Sequence, residues 1–462
     1  MLENLLTPFK SKLDGHTELR AQHYIAHAAQ LINGNVTGNG SSETQGLSAR
    51  VYAGGLWGFA SASDCDERSV RSVIAAADRN AKFLTSRLGE QLPPFGAQKA
   101  DFHRNATPEG DTEQKLVLDF AREIDAYILG KFTNLISRVV IAGAGVSERT
   151  LVTSDGADFY EYIPQTQIFT QMSVLADDGA VVDYSDLLAQ EACETRFFTD
   201  VIANPAKIFA KIDEIYETLM KKREGVFARA GEFDVILDSK LAGILAHEAI
   251  GHTTEADLVL GGSVAGPNLG KEVASPMVTL VDFANNYRGE PVPERIFIDD
   301  EGTVAQDVTL IENGVLKGFM HNRETARVFG HEALGNARAN NFTDEPLIRM
   351  RNTAILPGKD KLDDMIASVE DGYYLSQPTN GQADLTSEFM FGTAIGYEIK
   401  GGKLGRAIRD TTISGVAFDL LKTVTMLSDE MTWGRGSCGK KQSIAVGMGG
   451  PSVKCRVNLG GR

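Results

Sequence analysis

The stretch FDVILDSKLAGILAHEAIGHTTEADLVL, residues 233–260, marks the point at which the sequence pattern of this chain changes. Its first six residues, FDVILD, have the composition of a buried β-strand. Ser239 can then cap a following helix. The apolar face predicted for that helix carries Leu241, Ile244, Leu245 and Ala249. A strand that runs directly into a helix is therefore predicted at the start of the C-terminal part of the chain.

This helix contains His247-Glu248-Ala249-Ile250-Gly251-His252, which is the His-Glu-x-x-His pattern of zinc peptidases with one extra residue. Residues four apart on an α-helix lie about 40° apart around its axis, whereas residues five apart lie about 140° apart. A regular α-helix therefore cannot direct His247 and His252 at one ion. A π-bulge of one residue would bring the two rings together, and such bulges are frequent at functional sites. The spacing predicts a π-bulge.

The residues inside the motif have predicted roles of their own. Gly251 directly precedes His252, and we expect it to tolerate the backbone distortion of a bulge. Glu248 would stand beside the ion and take a proton from a water molecule. The alternative interpretation is that the two histidines and the glutamate share a helix by chance and are satisfied by local hydrogen bonds.

A catalytic zinc ion has three protein ligands and one open position, so a third ligand is needed. Cys438, Glu255 and Asp257 are the candidates. Cys438 lies in GRGSCGKKQS, which we interpret as a glycine-flanked turn that leaves a thiolate accessible. Glu255 could instead accept a hydrogen bond from a ligating histidine. Residue chemistry alone favours an inert, buried thiol at Cys438, and the choice stays open at this level.

The rest of the chain indicates an α+β fold. Residues 1–91 and 105–225 are predicted to form an N-terminal and a middle region of helices and antiparallel strands, joined by a linker at 92–98. Residues 230–462 are predicted to form a large, mainly antiparallel β domain that carries the metal-site helix. Its hairpin signals are Asn-Gly in 308–321 and Gly-Gly in 389–408.

Composition restricts the possible functions. The 462 residues include 46 Lys and Arg against 62 Asp and Glu, a net charge of −16, which makes a general nucleic-acid-binding role unlikely. The four cysteines are too few and too scattered for a disulfide framework. No apolar run approaches the ~18 residues of a membrane helix, and the N-terminus is not typical of a secretory signal. We therefore expect a cytoplasmic protein that does not enter a membrane.

Four sequence blocks, in order, resemble signatures of the TldD/PmbA family, once called modulators of DNA gyrase and now regarded as metallopeptidases. They are GLSARVYAGGLWGFASASD (46–64), IDDEGTVAQDVTLIENGVLKGFMHNRETA (298–326), GNARANNFTDEPLIRMRNTAILPG (335–358) and GRGSCGK (434–440). The resemblance covers nearly the whole chain. Because HEAIGH is retained, the chain is similar to the TldD-like branch, which bears a metal, rather than to the PmbA-like branch.

The resemblance implies one Zn²⁺ per chain, held by His247, His252 and Cys438, with Glu248 as the catalytic base. For Cys438 it reverses the preference for an inert thiol. It also implies hydrolysis of short or unfolded peptides, including peptide maturation, and a dimer formed either with itself or with a PmbA-like subunit. The alternative function is a non-catalytic subunit of a heteromeric assembly that binds peptides or regulates a partner.

Overall fold

The structure is a computed structural model that describes residues 2, 4–88, 100–105, 113–192 and 198–460. The linker predicted at residues 92–98, and with it the boundary at residue 91, lies outside the described residues. The division into three regions therefore stays a prediction. The chain forms two compact units, of which the first comprises Met1–Met220, Ile298–Val304 and Arg338–Leu347 and the second comprises Lys221–Phe297, Ala305–Ala337 and Ile348–Arg462.

The first unit is built on long antiparallel strands. Its strands are β1 (His16–Ile32), β2 (Asn35–Ala53), β3 (Leu56–Ala62), β4 (Ala100–Asn105), β5 (Ser137–Thr153), β6 (Ala157–Leu175) and β7 (Val181–Ala192). They form one sheet in the order β3-β2-β1-β5-β6-β4, with β7 also paired to β6. All of its neighbouring pairs are antiparallel except β4 with β6.

The helices of the first half of the chain follow the apolar periodicity of the sequence. A 3₁₀ helix, Thr7–Lys12, precedes α1 (Glu67–Leu88), α2 (Gln114–Lys131), α3 (Phe198–Ile202) and α4 (Pro205–Arg223). The buried positions of α1 include Val70, Val73, Ala77 and Ala81. They recur every three or four residues, because only one stripe of a surface helix faces the sheet.

The second unit is mainly β. Its helices are α5 (Ser239–Ile244), α6 (Ala256–Leu260), α7 (Arg323–Phe329), α8 (Leu362–Ala367) and α9 (Ala417–Lys422), with a π-helix at Leu245–Gly251 and 3₁₀ helices at His252–Thr254 and Gly266–Asn268. The strands of this part of the chain are β8 (Gly231–Leu237), β9 (Leu280–Phe283), β10 (Asn286–Tyr287), β11 (Glu290–Pro291), β12 (Val308–Glu312), β13 (Val315–Leu316), β14 (Ala337–Arg338), β15 (Leu347–Ile348), β16 (Asn352–Ile355), β17 (Asp371–Ala383), β18 (Glu388–Lys400), β19 (Lys403–Ile408), β20 (Thr411–Val416), β21 (Met426–Lys440) and β22 (Gln442–Gly460).

Five strands of this unit close into a ring, because β8 pairs with β17, β17 with β18, β18 with β20, β20 with β22, and β22 again with β8. α5 follows β8 directly and packs against β17 and β22. Leu241, Ala242, Leu245, Ala246, Ala249 and Ile250 are fully buried. The helix that carries the histidines is thus held in the largest apolar core of the unit.

The α+β class and the large C-terminal sheet domain are confirmed. Both hairpin predictions are also confirmed. Asn313 and Gly314, with φ of 48° and 85°, join β12 to β13, and Gly401 and Gly402, with φ of 53° and 69°, join β18 to β19. Positive φ at both central residues is the requirement of a type I′ turn. Across the described ranges, no helix has the length and apolar character needed to cross a bilayer.

Candidate metal centre

The helix that carries the motif begins at a well-made cap. β8 ends at Leu237, and the Asp238 carboxylate accepts a hydrogen bond from the backbone N–H of Leu241 at 2.8 Å. This capping satisfies one of the four free N–H groups of the first turn. The cap is Asp238 rather than the predicted Ser239.

The predicted π-bulge is confirmed and extends over Leu245–Gly251. The backbone N–H of His252 donates to the carbonyl of His247, five residues earlier, which is the hydrogen bond that defines a π-turn. One extra residue in the turn keeps both rings on the same side of the helix. The ring centroids lie 5.4 Å apart with an interplanar angle of 77°.

Gly251 has a different role from the one predicted. Its φ of −54° and ψ of −54° are ordinary helical values, so any L-amino acid could adopt the backbone conformation of this position. A Cβ atom at Gly251 would lie 1.9 Å from Sδ of the fully buried Met350. Glycine is required here because another side chain packs directly against the helix backbone.

The structure brings His247, His252 and Cys438 together. One ligand atom from each side chain can be chosen so that all three lie within 4.8 Å of one another, and the Cys438 Sγ lies 3.1 Å from the His252 Nε2. His247 is 1% exposed and Cys438 is 2% exposed. Cys438 lies within β21, two residues before its end, so its thiol projects from a strand. The turn predicted in this stretch lies instead at Lys441, whose φ is 60°, between β21 and β22.

The other two candidate ligands lie outside this group among the described residues. The Glu255 Oε2 is 3.1 Å from the His252 Nδ1, on the opposite edge of the ring from Cys438. Both Asp257 carboxylate oxygens bind the Lys440 ammonium, at 3.0 and 2.9 Å. Glu255 is thus placed to accept a hydrogen bond from His252, which is the second of the two roles that the sequence left open for it.

Glu248 lies beside the three side chains. Its Oε2 is 3.7 Å from the His252 Nε2, and the side chain is partly open to solvent. Burial raises the pKa of the Glu248 carboxyl above its ordinary range, and His252 opposes this effect. A carboxylate whose pKa is raised toward neutrality is better suited to accept a proton than an ordinary surface glutamate.

The surroundings of His252 favour positive charge. Burial lowers the pKa of the ring, but the hydrogen bonds to Cys438 and Glu255 outweigh it and raise the pKa to about 10. The thiol and the carboxylate therefore create a local potential in which a cation is stable. A metal bound at Nε2 would replace the proton there, because only the neutral imidazole is a ligand.

Two basic residues at the site were missed from the sequence. The buried Arg349 donates to the carbonyl oxygens of Cys438 at 2.7 Å and Gln442 at 2.9 Å, and so holds the hairpin that presents the thiol. Lys440 binds Glu255 and Asp257. For Lys440 a signal existed, since it stands two residues after Cys438 and side chains two apart share one face of a strand. For Arg349 no local signal exists.

The donor atoms fit a zinc ion. Two imidazoles and a thiolate are nitrogen and sulfur ligands of the kind that zinc prefers, and three protein ligands are the usual number in catalytic sites. Ligand atoms at the corners of a zinc tetrahedron lie about 3.3–3.7 Å apart. The observed 3.1 Å between Cys438 and His252 is close to those values, and every pair in the group lies within 4.8 Å.

The sequence of this chain matches models and members of one protein family. Residues 230–461 match the family model of the PmbA/TldA metallopeptidase C-terminal domain, and residues 17–81 match that of PmbA/TldA metallopeptidase domain 1. The chain is 32% identical to a protein of Buchnera aphidicola named metalloprotease TldD homolog, over 100% of this chain and 95% of that one. It is 27% identical to a protein of Saccharolobus solfataricus named zinc metalloprotease TldD homolog, over 90% of each chain.

Solved structures share the fold. TldE from Thermococcus kodakarensis superposes with a TM-score of 0.73 at 17% identity, covering 98% of this chain and 100% of that one. A Thermotoga maritima protein, described as a candidate modulator of a DNA gyrase, gives 0.77 at 18% identity and covers 99% and 98%. With a family model that matches half of the sequence and a full-length relative at 32% identity, the chain belongs to the TldD/PmbA family of metallopeptidases.

Proposed function

We propose that this protein is a zinc-dependent peptidase in which His247, His252 and Cys438 hold the metal and Glu248 is the general base. The observation that carries the proposal is the π-turn, which directs two histidines five residues apart toward one thiol, with a carboxylate beside them. The curated relatives named metalloprotease, one of them zinc metalloprotease, support the same activity.

The chemistry divides between the ion and the chain. Zn²⁺ held by these side chains would polarise a peptide carbonyl and increase the acidity of water. Glu248 accepts the proton of the attacking water on a carboxylate oxygen and returns it to the departing amine. Between the two steps the Glu248 carboxyl holds the proton.

The proposed substrates are short or unfolded peptides. The site lies in a unit made largely of strands, and an extended peptide that pairs with a strand is bound mainly through its backbone, which suits broad specificity. We further propose that the chain works as a dimer, either with itself or with a PmbA-like subunit. The fold shared with TldE supports a partner of that kind.

Replacing Glu248 tests the mechanism. We expect Glu248→Gln to lower the turnover of a denatured peptide pool by about 10²–10⁴-fold, the usual contribution of a general base, while zinc content stays near that of the unmodified chain. Elemental analysis and peptide mass spectrometry measure the two quantities. Glu312→Gln, which changes an exposed glutamate of the same unit, is the matched control.

The outcome also separates the proposal from its alternative. Unchanged hydrolysis in Glu248→Gln would remove this residue from the mechanism. A purified chain that takes up no zinc on supplementation and cleaves no peptide would instead support the non-catalytic, peptide-binding or regulatory function.

A further inference from the structure

Lys440 connects the strand that carries the thiol to the helical segment that carries the histidines. It lies on β21 two residues after Cys438, so both side chains leave the same face of the strand. Its side chain is 12% exposed, and its ammonium group lies 3.1 Å from the Glu255 Oε2, 2.9 Å from the Asp257 Oδ2 and 2.8 Å from the carbonyl of Ile348. These contacts use the three hydrogens of the ammonium group.

Glu255 is the residue through which this contact reaches the metal centre. Its side chain is fully buried, and the same Oε2 atom accepts from Lys440 and faces the His252 Nδ1 at 3.1 Å. When Nδ1 carries the ring proton and donates to Glu255, Nε2 keeps its lone pair. Nε2 is the nitrogen that lies 3.1 Å from the Cys438 thiol, where a ligand is needed.

A buried carboxylate needs a compensating charge, because an unpaired charge away from water is strongly unfavourable. Lys440 supplies that charge to Glu255 and also binds both oxygens of Asp257. Each of these carboxylates is thereby committed to the ammonium group. Lys440 thus holds Asp257 outside the group of nitrogen and sulfur donors and holds Glu255 against the Nδ1 edge of His252.

We infer that Lys440 is a positioning residue for the metal centre, which it serves by fixing Glu255 as the hydrogen-bond acceptor of His252. The inference rests on the proposed function and adds the means by which the His252 ring is oriented. The strand β21 therefore has two roles. It supplies the Cys438 thiolate and, two residues later, the Lys440 ammonium group that fixes the orientation of the His252 ring through Glu255.

The affinity of the full-length chain for Zn²⁺, measured by competition with a chromophoric chelator, tests this inference. We expect Lys440→Met to weaken zinc binding by about 10–100-fold, the usual cost of losing a partner behind a ligand. Lys440→Arg keeps the charge and should recover part of the loss. Lys454→Met removes a lysine from the other strand of the same hairpin, where it donates to Ser368, and should leave the affinity unchanged.

A double substitution shows whether Lys440 acts through Glu255. We expect Glu255→Gln to weaken zinc binding by itself, and adding Lys440→Met should then have little further effect, within about twofold, since the ion pair through which Lys440 acts on His252 is already lost. The double variant contains no unpaired charge at Glu255, so it should fold even if Lys440→Met alone does not. Thermal unfolding of the zinc-free variants checks this.

Two results would overturn the inference: zinc affinity of Lys440→Met within twofold of the unmodified chain, or effects of the two substitutions that multiply in the double variant. A purely structural lysine would give the second result, together with a lower unfolding temperature of the zinc-free chain. If the unmodified chain binds no Zn²⁺, the proposed function fails as well. Normal binding by the unmodified chain with no effect of Lys440→Met contradicts the positioning role alone.

Discussion

His252 is the residue at which the interactions of the site meet. One ring nitrogen faces Glu255 and the other faces the Cys438 thiol, each at 3.1 Å. Glu248 approaches the second nitrogen at 3.7 Å. Because the protein supplies a separate partner for each edge of the ring, the orientation of the imidazole is determined before any ligand binds, and less reorganisation is needed when one does.

Gly251, the residue before His252, offers a test at the residue scale. Alanine would favour the helical backbone by about 1 kcal/mol, but its Cβ would lie 1.9 Å from the Met350 Sδ. We expect the overlap to dominate, so that Gly251→Ala lowers the free energy of unfolding by about 1–3 kcal/mol, as overpacked core substitutions do. Urea denaturation measures it.

Gly439 provides the control for this substitution. It adjoins Cys438, and a Cβ at that position would meet no atom within 4 Å, so Gly439→Ala should change the free energy of unfolding little. Shortening Met350 to alanine in the Gly251→Ala background should cost less than in the unmodified chain, since it also removes the overlap. Equal costs in the two backgrounds would contradict the packing explanation.

At the scale of secondary-structure elements, the site depends on a helical run that changes type three times. The α-helical turns of α5 pass into the π-helix, then into the 3₁₀ turn at His252–Thr254 and finally into α6. Glu255 sits at the last junction with an extended φ and ψ of −72° and 120°. That break lets Glu255 turn back toward His252, whereas an unbroken α-helix would carry it away.

The cap of this run gives a test at the same scale. Asp238→Ala should lower the free energy of unfolding by about 1 kcal/mol, because the side chain caps Leu241. Asp238→Asn keeps an oxygen for the cap and removes the charge. Chemical denaturation near neutral pH measures both variants, and equal destabilisation by the two would contradict capping as the main role.

The pH dependence of Asp238 follows from its burial, which raises the pKa of the carboxyl. The folded state then holds the proton more tightly than the unfolded state, so the contribution of Asp238 to stability is present at low pH and declines as the pH rises through the raised pKa. The free energy of unfolding of the unmodified chain should therefore fall relative to that of Asp238→Asn as the pH rises above about 4, the ordinary pKa of an aspartate. A constant or rising difference would show that the carboxylate is well accommodated.

Some features of the site follow from neighbouring residues in the sequence, and others depend on residues far away in the chain. The π-turn could be predicted, because the five-residue separation of His247 and His252 is incompatible with a regular α-helix. The reason for Gly251 could not, since it depends on Met350, ninety-nine positions away in the sequence. For Cys438 the residue pattern alone left three candidates, and the family resemblance was needed to choose it.

The features that could not be predicted from the sequence depend mostly on the pairing of strands that are far apart in the chain. β22 pairs with β8, β16, β20 and β21, and no pattern within a single strand specifies those partners. The same pairing places Lys440 and Arg349 at the site. Local hairpins were predictable because their turn residues are adjacent, as at Asn313 and Gly314.

At the scale of the whole molecule, the candidate site residues all lie in one of the two units. His247, His252, Cys438 and Glu248 all belong to the second unit. The first unit is held by its own interactions, among them the ion pair of Arg149 with Asp300 at 2.6 Å. Metal binding should therefore stabilise the second unit directly, because the proposed ligands lie in that unit and are brought together only when it is folded.

Zinc removal tests this division. At a zinc concentration about 1,000 times the dissociation constant, binding contributes about 4 kcal/mol to the stability of the state that binds. We expect a chelator to accelerate amide hydrogen exchange in residues 239–260 and 426–440 of the second unit, with exchange in β1–β3 of the first unit unchanged. Hydrogen-exchange mass spectrometry compares the two regions in one sample.

A variant that lacks one of the proposed ligands shows whether the chelator acts through the metal. In His247→Ala the chelator should have no effect on exchange, and re-addition of Zn²⁺ should restore protection only in the unmodified chain. An equal loss of protection in both units would mean that metal binding and the folding of the first unit are coupled, because a local stabilisation cannot protect amides that open independently of it. Protection lost only in the second unit would locate the binding free energy where the four site residues lie.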